Sequence, residues 1–142
     1  MSYDLILPAG ADMLARIYLL ALCIWREARG EPMEGKVAVA CVIANRAARP
    51  RWWGKSIEDV ILKPKQFSSF NADDANSVAF PRPEDKSWLA CVEAAVKVLR
   101  GETADVTGGA DHYKTIASKP AWAADKLPVV VIGNHEFFRL EA

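Results

Sequence analysis

Between Asp12 and Ala28, apolar side chains recur every three or four positions, at Leu14, Ile17, Tyr18, Ala21, Ile24, Trp25 and Ala28. This predicts an amphipathic helix with Asp12 as its N-cap. Leu19, Leu20 and Leu22 fill much of the remaining face, so the helix is expected to be buried nearly all round. A second helical pattern runs from Met33 to Ala48, turning Val37, Ala38, Cys41, Val42, Ala44 and Asn45 toward a partner. Its alanines permit close approach to the first helix, and an amide at Asn45 requires a loop or helix end to bond. The two patterns meet at Gly30-Glu31-Pro32. Gly30 suits a positive-φ position just past a helix end, and Pro32 suits the first turn of the next helix. Arg49-Pro50 stops the second helix.

Further along, Ser56 and Asp59 resemble a capping box ahead of a short helix from Ile57 to about Leu62. A third long helix is predicted over 84–100, with Trp88, Cys91, Val92, Ala95, Val96 and Leu99 on one stripe and Gly101 ending it. After that the period shortens. Residues 105–114 read as a glycine-containing turn followed by a polar-aromatic segment. Leu127–Ile132 is rich in β-formers, and Gly133-Asn134 separates it from His135–Arg139 as a two-residue hairpin turn would. The segment Gln66–Phe70 reads as a strand or as one wall of a groove. The expected fold is therefore α+β, mostly helical with a small antiparallel hairpin or sheet, in one domain covering residues 1–142. Residues 1–11 are expected to form an N-terminal arm.

Composition narrows the class without naming a function. The 142 residues are 51% hydrophobic and 25% charged, with 18 acids balancing 18 bases, which is ordinary for a globular domain and gives no charge for nucleic acid or acidic lipid. Cys23, Cys41 and Cys91 lie far apart inside apolar patterns, so buried free thiols are expected, as in a protein folded in a reducing compartment. The apolar run from Ile17 to Trp25 is bounded by Arg16 and Arg26 and is too short to span a membrane. It lacks the flanks of a secretory leader, so cytoplasmic synthesis without a signal peptide is expected.

The chemistry concentrates at the joint between the first two helices. Glu27 falls in the last turn of a helix, where the backbone dipole disfavours a negative charge, so a partly buried carboxyl there should hold its proton as a general acid needs. Arg29 opposes this if its guanidinium turns inward. Otherwise Glu27 simply pairs with Arg29 or a loop. Glu31 is the nearest second carboxyl, but the helix break between them does not guarantee a shared face. It can equally accept bonds from exposed backbone amides. His112 and His135 are the only histidines and share no recognised metal spacing with other ligands, so no metal and no cofactor are expected. Trp52 and Trp53 are either a sugar platform or part of the core. Asp73 and Asp74 read as a solvated loop.

One ordered set of short motifs goes further. Glu27-Ala28-Arg29-Gly30-Glu31-Pro32, then Glu34-Gly35, Ala38-Val39, Val42-Ile43 and Asn45-Arg46, resembles the SleB/CwlJ-type cell-wall hydrolase family. So do Gln66-Phe67-Ser68, the segment Ala110–Tyr113, and Ile132-Gly133-Asn134-His135 with Phe137-Phe138. The resemblance runs from about Leu14 to Arg139. It implies a trimmed lysozyme-like or lytic-transglycosylase-like fold acting on bacterial peptidoglycan, with Glu27 at the position of the family's catalytic glutamate. A compact domain without a leader looks more like a phage endolysin than a spore-germination enzyme, reaching the wall or periplasm through a separate holin.

The resulting expectation is cleavage of the bond between N-acetylmuramic acid and N-acetylglucosamine by a lytic transglycosylase, with Glu27 as acid and base. Glu31 is the second catalytic candidate; Gln66, Ser68, His112, Tyr113 and His135 are the substrate-binding candidates. The alternatives are a lysozyme-like muramidase using Glu27 and a second carboxylate, a zinc-dependent amidase, and a wall-binding module that uses Trp52, Trp53, Trp122 and Tyr113 without cleaving. The expected partner is peptidoglycan, with no nucleic acid, no membrane insertion and a monomeric state.

Overall fold

The computed structural model of the chain describes residues 10–64 and 66–141. The N-terminal arm read from the sequence lies outside the described residues, apart from its last positions. Helix α1 spans Ala11–Ala28, α2 Met33–Ala48, α3 Ile57–Leu62 and α4 Lys86–Leu99. Strands β1 (His112–Thr115), β2 (Val130–Ile132) and β3 (His135–Phe138) form an antiparallel sheet in the order β1-β3-β2. His112 pairs with Phe138 and Thr115 with His135, while Ile132 also meets His135 on the other side of β3. The α+β expectation holds. Among the described residues, no helix is long and apolar enough to cross a membrane.

Helices α1, α2 and α4 pack on one another and enclose the core. α1 is buried continuously from Leu20 to Ile24 and again at Ala28, while Met13, Leu14 and Tyr18 near its start are exposed. The helix enclosed on all sides is instead α2, where every residue from Gly35 to Ile43 is buried. Its small and β-branched side chains let three neighbours approach at once, which the weak sidedness of its pattern already allowed. All three cysteines are free and buried.

The element ends follow local chemistry with three departures from the sequence reading. Gly10, at φ 89, is the N-cap of α1, so Asp12 sits in the first turn, where its charge suits the helix dipole. Pro32 is the N-cap of α2, one position ahead of the first turn for which it is suited. Gly30 is not among the positive-φ glycines: Arg29 keeps right-handed angles, and the amide of Glu31 bonds the Ala28 carbonyl at 3.0 Å. The helix thus unwinds without changing hand. At the end of α4, by contrast, Gly101 takes φ 67; its N–H reaches Val98 O and that of Glu102 reaches Lys97 O, the two bonds of a Schellman motif. Ser56 Oγ accepts from the amide of Asp59 at 3.0 Å, as the capping pattern required.

Candidate active site

Glu27 leaves the last turn of α1 and meets Tyr113 of β1, whose hydroxyl donates to Glu27 Oε1 at 2.6 Å. Burial raises the Glu27 pKa above its ordinary value. The Tyr113 hydrogen bond and the nearby His135 work in the opposite direction without cancelling it. Arg29 does not intervene, because its guanidinium lies 4.4 Å over the Trp25 ring and its Nη1 points to the Trp25 carbonyl. Arg26 is also turned away. It donates to the carbonyls of Ser69, Ser77 and Ala79 between the rings of Phe70 and Phe80, tying the segment after α3 to α1.

That segment supplies one wall of a cleft of about 470 Å³ in which Glu27 and Tyr113 sit. Gln66 and Phe67 form this wall; Trp52, His112 and Trp122 form the other, and Arg46 reaches in from α2. Gln66 therefore lies in the cleft, and 68–70 is a 3-10 turn rather than a strand. The side chain of Ser68 lies outside the described residues. The two adjacent tryptophans divide the roles proposed for them: Trp53 is wholly buried in the core, whereas Trp52 is 49% exposed at the cleft. Among the described residues, Glu27 is the only carboxyl that lines the cleft.

His112 packs against Trp122, with ring centroids 5.1 Å apart, and turns Nδ1 to Asp111 Oδ1 at 2.8 Å. Asp111 is fully buried and also accepts from the amides of Leu140 and Glu141 at 2.9 Å each. Burial opposes its ionisation, but these hydrogen bonds outweigh the penalty and hold its pKa below the ordinary value. The ionised carboxylate accepts only, so it places a proton on Nδ1 and leaves Nε2 as the ring nitrogen available to the cleft.

Glu31 takes a different path. Its Oε1 accepts from the amide of Asn134 at 2.8 Å and pairs with His135 Nδ1 at 2.7 Å. The carboxylate is thus clamped to the hairpin turn, not to the start of α2. Gly133 is required there: its φ is +57, and an added Cβ would stand 2.9 Å from Glu31 Oε1. His135 is 4% exposed and packs edge-on against Tyr113. Glu31 and His135 do not line the main cleft; they border a second, more open groove with Arg29, Thr115 and Asn134, and Glu27 lines that groove as well.

Two contributors had no role of their own in the sequence, Arg46 and Asp111, which meet across 65 residues. Trp122, an aromatic candidate of the wall-binding alternative, does line the cleft. Asn45 was legible as a loop anchor, and its amide bonds Asp105 Oδ2 and Ala110 O at 2.9 Å each. Among the described residues, no three His, Cys, Asp or Glu side chains gather as a metal ion would need.

A desolvated, hydrogen-bonded carboxyl opening on a cleft with aromatic walls can protonate a leaving oxygen. Tyr113→Phe tests the coupling. Its hydroxyl stabilises the ionised carboxylate, so removal is expected to raise the Glu27 pKa further and move the alkaline limb of the rate profile to higher pH. Loss of a charge-assisted hydrogen bond should also lower kcat about tenfold. A pH–rate profile with the limb unmoved would separate Tyr113 from Glu27.

A fold of this kind around a buried glutamate and a sugar-sized cleft defines a class, and comparison with known proteins agrees. The chain belongs to the cell wall hydrolase family, whose model matches residues 30–138 and so begins just after Glu27. It is 32% identical over 122 residues to a spore cortex-lytic enzyme of Halalkalibacterium halodurans, covering 85% of this chain and 34% of that protein. A spore cortex-lytic enzyme of Bacillus subtilis is 37% identical over 78 residues, 55% of this chain and 24% of the relative. The chain spans 34–40% of the length of the first curated relatives it matches. Among solved structures, it resembles the catalytic domain of the germination-specific lytic transglycosylase SleB from Bacillus anthracis. The TM-score is 0.71 at 27% identity, over 92% of this chain and 98% of that one. The catalytic domain of Bacillus cereus SleB matches with a TM-score of 0.67 at 27% identity, over 96% and 98% of the two chains.

Proposed function

We propose that the cleft cleaves the glycosidic bond between N-acetylmuramic acid and N-acetylglucosamine in peptidoglycan without consuming water. The observation that carries this reading is that Glu27 is the only carboxyl lining the cleft among the described residues, while Glu31 is committed to the hairpin turn. Inverting hydrolysis needs a second carboxylate to activate water, and retaining hydrolysis needs one as nucleophile. A transglycosylase needs only one. The Bacillus anthracis neighbour, a lytic transglycosylase, supports the same choice.

In this mechanism the Glu27 carboxyl gives its proton to the glycosidic oxygen as the bond to C1 of the muramic residue breaks. An oxocarbenium-like centre develops at C1, and the C6 hydroxyl of the same sugar attacks it. The C6 hydroxyl proton passes to the Glu27 carboxylate, restoring the acid and closing a 1,6-anhydro ring. Tyr113 steadies the carboxylate while it is charged. Trp52 and Trp122 offer faces for sugar rings, with Gln66 and His112 providing polar contacts. Glu31 and His135 position rather than react.

The name shared by the curated relatives supports spore-cortex peptidoglycan as the natural substrate. The alternative is host-wall lysis by a phage endolysin released through a holin and acting as a monomer. One experiment addresses both reaction and setting: digestion of spore cortex and of vegetative sacculi in ¹⁸O-water, with mass spectrometry of the products. Anhydro ends free of solvent oxygen, released faster from cortex, are expected. Reducing ends carrying one ¹⁸O would overturn the mechanism and return Glu31 to candidacy as a second catalytic acid. Equal or faster release from vegetative sacculi would favour the endolysin setting.

A further inference from the structure

Arg46 is a buried cation that the proposed reaction does not use. It stands in the last turn of α2, is 6% exposed, and still forms part of the cleft wall. Its Nε donates to the Asp111 carbonyl at 2.7 Å, which fixes the plane of the guanidinium. The group lies over the rings of Trp53 and Phe67, at 5.5 and 5.9 Å. Among the described residues, neither Nη nitrogen has a hydrogen-bond acceptor or a salt-bridge partner, although the nearby charge of Asp111 favours the cation. The nearby acids are occupied: Asp111 holds His112 and the C-terminal amides, and Glu27 holds Tyr113. Burial lowers the Arg46 pKa from its ordinary value, so the environment does not by itself compensate the charge.

A largely buried guanidinium whose Nη groups reach the cleft without a protein acceptor is placed to donate to an electron-rich oxygen of a ligand. The surroundings narrow which oxygen. A carboxylate would satisfy Arg46 but make no use of the aromatic faces that share the cleft with it, Phe67, Trp52 and Trp122. An acetamido group uses both, because its carbonyl accepts from Nη while its methyl packs on the rings. We infer that Arg46 binds the acetamido carbonyl of a glycan sugar and so selects N-acetylated β-1,4-linked strands over unsubstituted ones. This rests on the glycan-binding reading of the cleft and names the group read there.

The test compares two neutral tetrasaccharides, a tetramer of N-acetylglucosamine and a tetramer of β-1,4-linked glucose, by calorimetry. The wild-type chain is expected to prefer the acetylated tetramer by about tenfold or more, the effect of one hydrogen bond to a charged group. Arg46→Met should erase most of that preference by weakening only the acetylated ligand, and Arg46→Lys should retain part of it. An unchanged preference in a folded Arg46→Met protein would overturn the inference while leaving the glycan reading intact. Failure of the wild type to bind either tetramer would overturn both. Near-ultraviolet circular dichroism checks folding, because the Trp53 indole N–H bonds the Arg46 carbonyl at 2.8 Å. If Arg46→Met does not fold, the wild-type Arg46 side-chain N–H signals serve instead. They are expected to shift and exchange more slowly with the acetylated tetramer alone, and an equal response to both tetramers would overturn the inference.

Discussion

Glu27→Gln is expected to lower wall-lytic activity by about 10²- to 10⁴-fold while leaving the fold intact. Glutamine keeps the shape and can still accept from the Tyr113 hydroxyl, so the change removes the transferable proton and little else. Stability should move in the opposite direction to activity. Burial raises the Glu27 pKa in the folded state, so its protonated form suits the fold and its ionised form does not. The contribution of Glu27 to stability is present below the unfolded-state pKa and is lost as pH rises through the raised folded value. The glutamine variant never ionises, so its melting temperature is expected to match the wild type in acid and to equal or exceed it near neutral pH. Turbidity loss of purified sacculi and a melting curve at two pH values measure both effects. Near-normal lysis by the folded variant would remove Glu27 from the reaction.

The same residue shows how far local pattern reaches. Glu27 was legible because its cause is local: a helix end, a neighbouring apolar run and a family motif all fall within a few positions. The helices were legible for the same reason, since the three- to four-residue spacing around Trp88 and Cys91 survives folding unchanged. The fate of Glu31 was half legible. Its commitment to backbone amides could be anticipated, but the amide it takes belongs to Asn134, more than a hundred residues away. Arg46 had no role of its own in the sequence beyond its place in the Asn45-Arg46 motif. Only the fold turns it inward, by setting the Asp111 carbonyl and the ring of Trp53 around it. Gly30 erred in the other direction: glycine permits a positive φ, but nothing at that turn demanded one. Residues whose role depends on what a distant segment brings to them were silent in the sequence.

Asp111 is the extreme case, and removing it should have the largest effect on stability. It is one of six polar or charged residues found buried, and its carboxylate collects three hydrogen bonds that join β1, the cleft and the C-terminal tail. Asp111→Ala would leave the amides of Leu140 and Glu141 and the Nδ1 of His112 without their acceptor. Buried donors left in this way cost about 1–3 kcal/mol each, less where water enters, so a net loss of roughly 2–4 kcal/mol is expected. For a domain of this size, that corresponds to a fall in Tm on the order of 10 °C. The pH dependence follows from the direction of the Asp111 shift. Its pKa is lowered in the fold, so the stability it supplies is present above the unfolded-state value and disappears as pH falls through the folded one. The gap between wild type and variant should therefore be widest near neutral pH and close in acid. Hydrogen exchange gives a local reading, since the Leu140 and Glu141 amides should lose protection in the variant before the core of α2 does. Activity should respond through His112: once Nδ1 is no longer held, the ring can take either tautomer, and KM should rise more than kcat falls. A variant that melts at the wild-type temperature across this pH range would show that the buried carboxylate does not hold the cleft together.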